Sequence, residues 1–475
     1  MAERIIADLC IIGGGSAGLS VAAGAAQMGA RTVLIEAARM GGDCLNTGCV
    51  PSKALLAAAN AAQNAREARK FGVFPQGLKV DYALAQKHVR ETIDGIAPHD
   101  SVERFTGLGC TVIQAWARFT DDRTVEAGGK SVGARRFVIA TGSRAAVPSI
   151  PGLAETPFFT NENLFENTVL PAHLIVIGAG PIGCEMAQAH RRLGAEVTLI
   201  DMGPLLPKDD PDAVAVVRRK FLGEGIALNE GAKIARVEKR EGGVAVALFE
   251  GADERWIEGS HLLVAAGRKA NVENLGLEAA GVKFSGRGVE VDGRLRSSNK
   301  RIYVAGDVAG GLQFTHLASY HAGVILRNAL FRLPAKAAPK ALPWVTYCDP
   351  ELAQVGLTQE QAAKLHGAAI RVLRAEFADN DRARAEKIRE GFLKAIVGKR
   401  GAILGCTIVG PDAGDLIQPW VLAMSQGMKI GALASMIAPY PTLGEISKRA
   451  AGSFYTPSLF SPRTRKLVRF LGLFG

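Results

Sequence analysis

Cys44 and Cys49, separated by four residues in Gly-Gly-Asp-Cys-Leu-Asn-Thr-Gly-Cys-Val-Pro-Ser-Lys (41–53), are the side chains of this sequence best suited to chemistry. Pro51 suits the first turn of a helix, where a missing N–H is harmless, so the pair is expected at a helix entrance. The positive end of a helix favours thiolate over thiol, and thiolate is the reactive form of cysteine. Lys53 adds a positive charge one turn further on. A redox-active disulfide beside a bound cofactor is the leading reading. A static structural bridge and half of a four-ligand zinc site are the alternatives. No companion Cys/His pair at zinc spacing follows, and no metal is expected.

Something must position that pair, and the sequence writes one unit twice. Residues 8–42 carry Leu-Cys-Ile-Ile-Gly-Gly-Gly-Ser-Ala-Gly, a helical stretch, then Thr-Val-Leu-Ile-Glu ending at Glu36. Residues 173–207 carry Leu-Ile-Val-Ile-Gly-Ala-Gly-Pro-Ile-Gly, a helical stretch, then Val-Thr-Leu-Ile-Asp ending at Asp201. Each copy reads strand, Gly-x-Gly-x-x-Gly, helix, strand, acid. Gly13 and Gly178 suit the tight turn, Gly15 and Gly180 a close approach to pyrophosphate, and Gly18 and Gly183 packing of helix on strand. The helix N-terminus then holds phosphate, and Glu36 or Asp201 accepts from a ribose hydroxyl. Two dinucleotide sites follow. A carboxylate at the ribose position repels a 2′-phosphate and no arginine closely follows Asp201, so NADH is preferred over NADPH.

Three further apolar runs fit strands that pass a cofactor. Phe-Val-Ile-Ala-Thr-Gly (137–142) ends in Thr141 and Gly142, and Leu-Leu-Val-Ala-Ala-Gly-Arg (262–268) ends in Gly267 and Arg268. Ile-Tyr-Val-Ala-Gly-Asp-Val (302–308) puts Asp307 at the strand's C-terminal end, where ligands bind in open α/β sheets. A turn or N-cap role is the structural alternative for Asp307.

A chain of 475 residues suggests about three domains. No apolar run reaches membrane-spanning length and the start lacks a signal-peptide layout, so a cytoplasmic location is expected. Seven cysteines is an odd number, which disfavours a disulfide scaffold. Cys10, Cys110, Cys184, Cys348 and Cys406 are expected to act as small buried hydrophobes. The net charge of +11 is spread without aromatic interleaving or a nucleic-acid motif, so no nucleic-acid partner is expected.

With these motifs in view, the chain resembles the pyridine nucleotide–disulfide oxidoreductases, in their dihydrolipoamide dehydrogenase and mercuric reductase-like branch. The resemblance implies an α/β protein with two Rossmann-type, three-layer dinucleotide-binding domains and an α+β C-terminal dimerisation domain. The expected boundaries are 1–146 for FAD, 147–272 for NAD(P)H, 273–341 for a central domain completing the FAD site, and 342–475 for dimerisation. FAD is then held by Gly13, Gly15, Gly18, Glu36, Lys53, Thr141, Gly142 and Asp307. NAD(H) is held by Gly178, Gly180, Gly183, Asp201 and Gly267. By match, Cys44 is the interchange thiol that attacks substrate and Cys49 the thiolate facing flavin. Lys53 and Glu185 match a lysine–glutamate pair beside the flavin's reacting edge. Electrons would run from NADH through flavin and the Cys44–Cys49 disulfide to a small-molecule or protein disulfide acceptor, in a homodimer serving cell redox homeostasis. A metal-ion or quinone reductase, or a low-turnover redox-sensing or assembly subunit, are the rival implications.

The departure lies in Ala-Pro-Tyr-Pro-Thr-Leu-Gly-Glu (438–445). Related disulfide reductases carry His-Pro-x-x-x-Glu, with the histidine acting as acid/base from the partner subunit. Here Tyr440 takes that place and Glu445 is retained. A phenol of pKa ~10 acting as base near pH 7 carries ~4 kcal/mol of penalty, whereas general-base help is worth about 10²–10⁴-fold. Tyr440 is therefore read as a proton donor or an organising hydrogen bond, with packing at the dimer interface as its structural alternative. Mercuric reductases share a tyrosine here but carry a C-terminal cysteine pair, and no cysteine follows Cys406. His316 and His321 are read as structural. The run 378–386 is read as a solvated charged loop. Basic residues followed by Leu, Val and Phe (461–475) suit docking on the protein's own dimer or, as the lesser reading, weak peripheral membrane contact.

Overall fold

The apolar runs around the first glycine motif alternate between two buried faces, which is the pattern of strands covered on both sides. In the computed structural model, which describes residues 3–474, Cys10, Ile12, Val33, Ile35, Phe137 and Ile139 enter one core. Leu9, Ile11, Leu34 and Val138 enter the core on the opposite face. Met1, Ala2 and Gly475, the last residue of the basic tail, lie outside the described residues.

The contacts divide the chain into two compact units. The first comprises the chain up to Arg66 together with Gln76–Met202 and Gly231–Ala338. Its larger sheet sets Cys110–Gln114, Thr32–Glu36, Glu3–Ile12, Lys130–Ile139 and Ile302–Val304 side by side in parallel. Helices Ser16–Gln27 and Thr315–Ala329 cover one face of that sheet through residues such as Leu19, Val21, Ala318 and Ile325. The second parallel set pairs His173–Ile177 with both Glu196–Ile200 and His261–Val264. A three-stranded antiparallel meander, Ile234–Arg240, Gly243–Glu250 and Asp253–Gly259, packs into the same core as Ile175, Ile177 and Val264.

The two glycine turns are built alike. Gly13 and Gly178 have φ of +111° and +113°, a region closed to most side chains. A Cβ on Gly18 would lie 1.8 Å from the Gly13 carbonyl oxygen, and one on Gly183 would lie 1.8 Å from that of Gly178. Backbone contact at that separation admits only glycine, so the motif fixes how each helix meets its strand.

The second unit comprises Glu67–Pro75, Gly203–Glu230 and the chain from Pro339 onward. Its five-stranded antiparallel sheet runs in the order Pro343–Thr346, Glu351–Gly356, Ile403–Gly410, Phe392–Val397, Arg371–Glu376. Trp420 is fully buried against it and donates to Ser447 Oγ at 3.0 Å. Helix Pro211–Gly223, which lies inside the expected nicotinamide segment, is part of this unit. The run 378–386 is solvated at its charges, as expected, but it is not a loop throughout: Asp381–Ala385 is a short helix. Asn380 caps it by accepting from Ala383 N at 2.9 Å, and Ala383 is buried in the core. The charges masked a local capping signal.

Lys394 is buried in the middle of that sheet, with Nζ 2.7 Å from Asp210 Oδ1 and 2.6 Å from Asp212 Oδ2. Lys394→Met leaves Asp210, at 1% exposure, without its cation, a loss worth about 3–5 kcal/mol. The urea midpoint should fall accordingly. Adding Asp210→Asn, which keeps the cap on helix Pro211–Gly223, should restore most of it.

Candidate functional site

The two cysteines occupy two helices. Cys44 lies in the short helix Gly42–Asn46, and Cys49 is the first residue of the long helix Cys49–Glu67. The short helix is held against the first glycine loop by Gly41 N donating to Gly14 O at 2.9 Å. A Cβ on Gly42 would lie 2.6 Å from Gly15 Cα, so the cysteine segment and the nucleotide turn touch backbone to backbone.

The pair does not share charge evenly. The Cys44 thiol lowers Cys49 to about 6, assisted by the Thr315 hydroxyl and the Lys53 ammonium and opposed by burial. Cys49 Sγ lies 3.4 Å from Thr315 Oγ1. Cys44 is pushed up, chiefly by its hydrogen bond to Cys49 and by burial. The first proton therefore leaves Cys49, and Cys44 keeps the second.

Lys53 Nζ donates to Glu185 Oε2 at 2.7 Å. Glu185 is 4% exposed, on the helix Pro181–Leu193 that follows the second glycine motif. The ion pair thus joins the cysteine helix to the second nucleotide fold. Arg268 is a second junction. Its Nε donates to Ser143 Oγ at 2.8 Å, its Nη2 lies 3.0 Å from Asp43 Oδ2, and Asp307 Oδ2 is 3.7 Å from Nε. Ser143 Oγ also donates to Asp307 Oδ2 at 2.5 Å. Burial raises the Asp307 carboxyl, and Ser143 and Arg268 oppose that. Asp43 Oδ1 further accepts from Thr47 Oγ1 and Asn161 Nδ2, each at 2.9 Å. Thr141 and Gly142 are locked to Asn271, with Thr141 Oγ1 donating to Asn271 O at 2.7 Å and Asn271 N to Gly142 O at 3.0 Å.

These residues suit two dinucleotides. No side chain caps helix Ser16–Gln27 or helix Pro181–Leu193, so their N-terminal N–H groups face outward from Gly15 and Gly180. A Cβ on Gly180 would meet nothing within 4 Å, and one on Gly15 would touch only Gly42 Cα at 3.7 Å. Both are open cradles for a phosphate. Glu36 and Asp201, expected at the two riboses, are each engaged within the protein. Gly14 N donates to Glu36 Oε2, and Ala179 N donates to Asp201 Oδ2 at 2.7 Å, so each acid pins its own glycine loop. Gly267, with φ of +125°, precedes Arg268.

Tyr440 and Glu445 lie in the second unit. Tyr440 is 71% exposed, and its hydroxyl donates to Asp381 Oδ2 at 3.1 Å. That hydrogen bond and the Asp381 charge raise the phenol above its ordinary value. Glu445 opens helix Glu445–Ser453 and accepts from Thr442 N at 3.3 Å. His321 is buried and accepts from Gly306 N at 3.2 Å. His316 stacks on Phe314. The five remaining cysteines are all buried.

Sequence reasoning missed Asp43, Ser143, Thr315 and Asp381. Thr315 stands beside the histidine that drew attention, and Asp381 sits in the run read as solvent-facing. Asp43 and Ser143 are polar neighbours of flagged residues whose partners are distant in sequence. The unequal thiols set a titration. In the reduced protein, ultraviolet thiolate absorbance should appear above a midpoint of about 6 and fade as pH drops through it. Cys49→Ser should abolish that step, and Thr315→Val should move it upward. A reduced protein titrating only in the ordinary thiol range would contradict the arrangement.

Comparison with known proteins gives two family matches. Residues 7–322 match the pyridine nucleotide-disulphide oxidoreductase model, and residues 342–451 match the dimerisation domain of the same family. A mercuric reductase of Bacillus cereus is 36% identical over 450 residues, covering 94% of this chain and 71% of that protein. A dihydrolipoyl dehydrogenase of Geobacillus stearothermophilus is 33% identical over 463 residues, covering 94% and 95%. The structure of the HOCl-induced flavoprotein disulfide reductase RclA of Escherichia coli, solved as a Cu(II) complex, aligns with a TM-score of 0.83 at 28% identity, covering 92% of this chain and 98% of that one.

Proposed function

Because this chain belongs to the pyridine nucleotide-disulphide oxidoreductases and is an FAD-dependent enzyme of that family, we propose that it reduces a disulfide-type acceptor through Cys44 and Cys49 at the expense of NADH. The observation that carries this reading is the Cys44–Cys49 pair at the start of helix Cys49–Glu67, with Cys49 Sγ 3.4 Å from Thr315 Oγ1 and its thiol lowered by Cys44, Thr315 and Lys53. FAD, when bound, supplies transfer of an electron pair between nicotinamide and the cysteine pair. Gly13, Gly15, Gly18, Glu36, Lys53, Thr141, Gly142 and Asp307 would hold it. Gly178, Gly180, Gly183, Asp201 and Gly267 would hold the nicotinamide dinucleotide, and the Asp201 carboxylate favours NADH by repelling a 2′-phosphate. The matched dimerisation domain supports a homodimer.

The chain's own residues then account for the thiol chemistry. Cys44 passes its proton to the Cys49 thiolate hydrogen-bonded to it, and the Cys44 thiolate so formed attacks one sulfur of the acceptor disulfide, giving a mixed disulfide and a departing thiolate that takes the proton back from Cys49. The Cys49 thiolate attacks Cys44 Sγ, closes the Cys44–Cys49 disulfide and releases the second thiolate. Two electrons leave the pair, and two acceptor sulfurs are reduced. The raised phenol of Tyr440 stays protonated near neutrality, so it serves as a hydrogen-bond donor to that second thiolate, which takes its proton from solvent, and not as a base.

The test is NADH-dependent turnover of wild type and Cys44→Ser with disulfide, quinone and metal-ion acceptors. Disulfide reduction should fall by about 10³-fold or more in the variant. Full turnover of the best acceptor without Cys44 would instead favour a quinone or metal-ion reductase. Negligible turnover of every acceptor by wild type would favour a sensing or assembly role. A second measurement concerns direction. With matched dithiol and disulfide substrates, corrected for the equilibrium constant, Tyr440→His should selectively raise dithiol oxidation by about 10-fold or more. Equal rates in both proteins would make Tyr440 structural.

A further inference from the structure

After Glu445 the sequence holds no acidic residue and six basic ones, Lys448, Arg449, Arg463, Arg465, Lys466 and Arg469. Four of these fall in the helix Pro462–Leu471, which buries no residue of its own. Local signals make this helix. Ser461 caps it by accepting from Thr464 N at 3.2 Å, and Pro462 stands in the first turn. Thr464 Oγ1 donates to Ser458 O at 2.7 Å, which fastens it to the preceding turn.

At 100° per residue the helix divides into two faces. Leu467, Phe470 and Leu471 lie on one face, each more than half exposed. Arg465, Lys466 and Arg469 lie on the other; Arg463, in the first turn, falls in line with the apolar face, and Val468 falls between the two. The Phe474 ring extends the apolar face, edge-on to Phe470 at 5.2 Å. Leu459 and Phe460, just before the helix, are exposed at 57% and 66%. Ten residues at ~1.5 Å each make ~15 Å, about half of a ~30 Å hydrocarbon core, so the helix is too short to span. No described helix is long and apolar enough to cross a membrane.

We propose that residues 456–474 form an interfacial anchor that lays the enzyme on an anionic lipid surface. The apolar face would sit at the headgroup boundary and the basic face among the lipid charges. Charge decides between this occupant and a second copy of the chain. Another copy brings its own net charge of +11 to a tail that is already basic, whereas an anionic leaflet brings the opposite sign. Each basic side chain near such a surface contributes about fivefold to partitioning. The inference uses none of the residues assigned to redox chemistry, so it stands or falls apart from that reading.

The test is sedimentation of the full-length, flavin-loaded protein with vesicles of phosphatidylcholine alone or mixed with phosphatidylglycerol. Binding should require the anionic lipid and weaken as salt is raised. Neutralising Arg465, Lys466 and Arg469 to Gln should weaken it by about 100-fold. Leu467→Asp with Leu471→Asp should abolish it while NADH oxidation in solution is retained. Phe470→Trp should show added, blue-shifted emission on anionic vesicles only. Equal binding to both vesicle types, no binding to either, or anionic binding that survives the Asp substitutions would overturn the proposal. So would conversion of the Leu467→Asp/Leu471→Asp protein from dimer to monomer, because the helix would then be an interface between copies.

Discussion

The Arg268 guanidinium, 14% exposed, stands between two carboxylates that would otherwise face each other. Asp43 precedes Cys44, and Asp307 follows the strand Ile302–Val304 of the first unit's larger sheet. Their mutual repulsion raises Asp307 further, on top of burial. A planar cation with several donors can serve both acids and the Ser143 backbone and hydroxyl at once, which a lysine could not. The turn between Cys44 and Cys49 is thereby tied through Asp43 to Thr47, Asn161 and Arg268. The sulfur chemistry depends on that turn keeping its shape, and the turn depends on a residue more than two hundred positions away in sequence.

Lys53 and Glu185 do a different electrostatic task. An isolated ammonium beside Cys49 would stabilise the thiolate, but Glu185 tempers that field at 2.7 Å from the same nitrogen. Because Glu185 is nearly buried, the pair is held less by water than by its own geometry. Thr315, on a helix of the first nucleotide fold, adds a hydroxyl to the same sulfur. Three segments far apart in sequence thus set the charge on one atom.

Much of this was legible in the sequence because it rests on local, repeating constraints. The two glycine motifs could be read in register because Gly18 and Gly183 meet the same backbone oxygen in each copy, and no other residue fits. The strands were legible because both faces of each are apolar. The cysteine pair was legible from its proline, lysine and spacing. What the sequence did not disclose were partners chosen by folding. Nothing near Asp43 announces Arg268, and nothing near Tyr440 announces Asp381. The short helix at Asp381–Ala385 was hidden for a related reason: its charges outnumbered the one capping asparagine and the one buried alanine that define it. Helix Pro211–Gly223 joins the second unit through Asp210 and Asp212 on Lys394, a buried pairing that hydrophobic patterning cannot foresee.

Glu36 and Asp201 accept from the backbone of their own glycine loops, at Gly14 and Ala179. Each acid is therefore already employed in the fold, apart from whatever it offers a nucleotide. Exchanging Asp201 for a smaller or basic residue would release the Ala179 N–H and loosen the glycine turn that Asp201 pins. Whichever nicotinamide coenzyme the protein uses, a substitution at this position acts on the loop as well as on any ligand beside it. A replacement that alters the one without unsettling the other therefore calls for a second change that restores the loop.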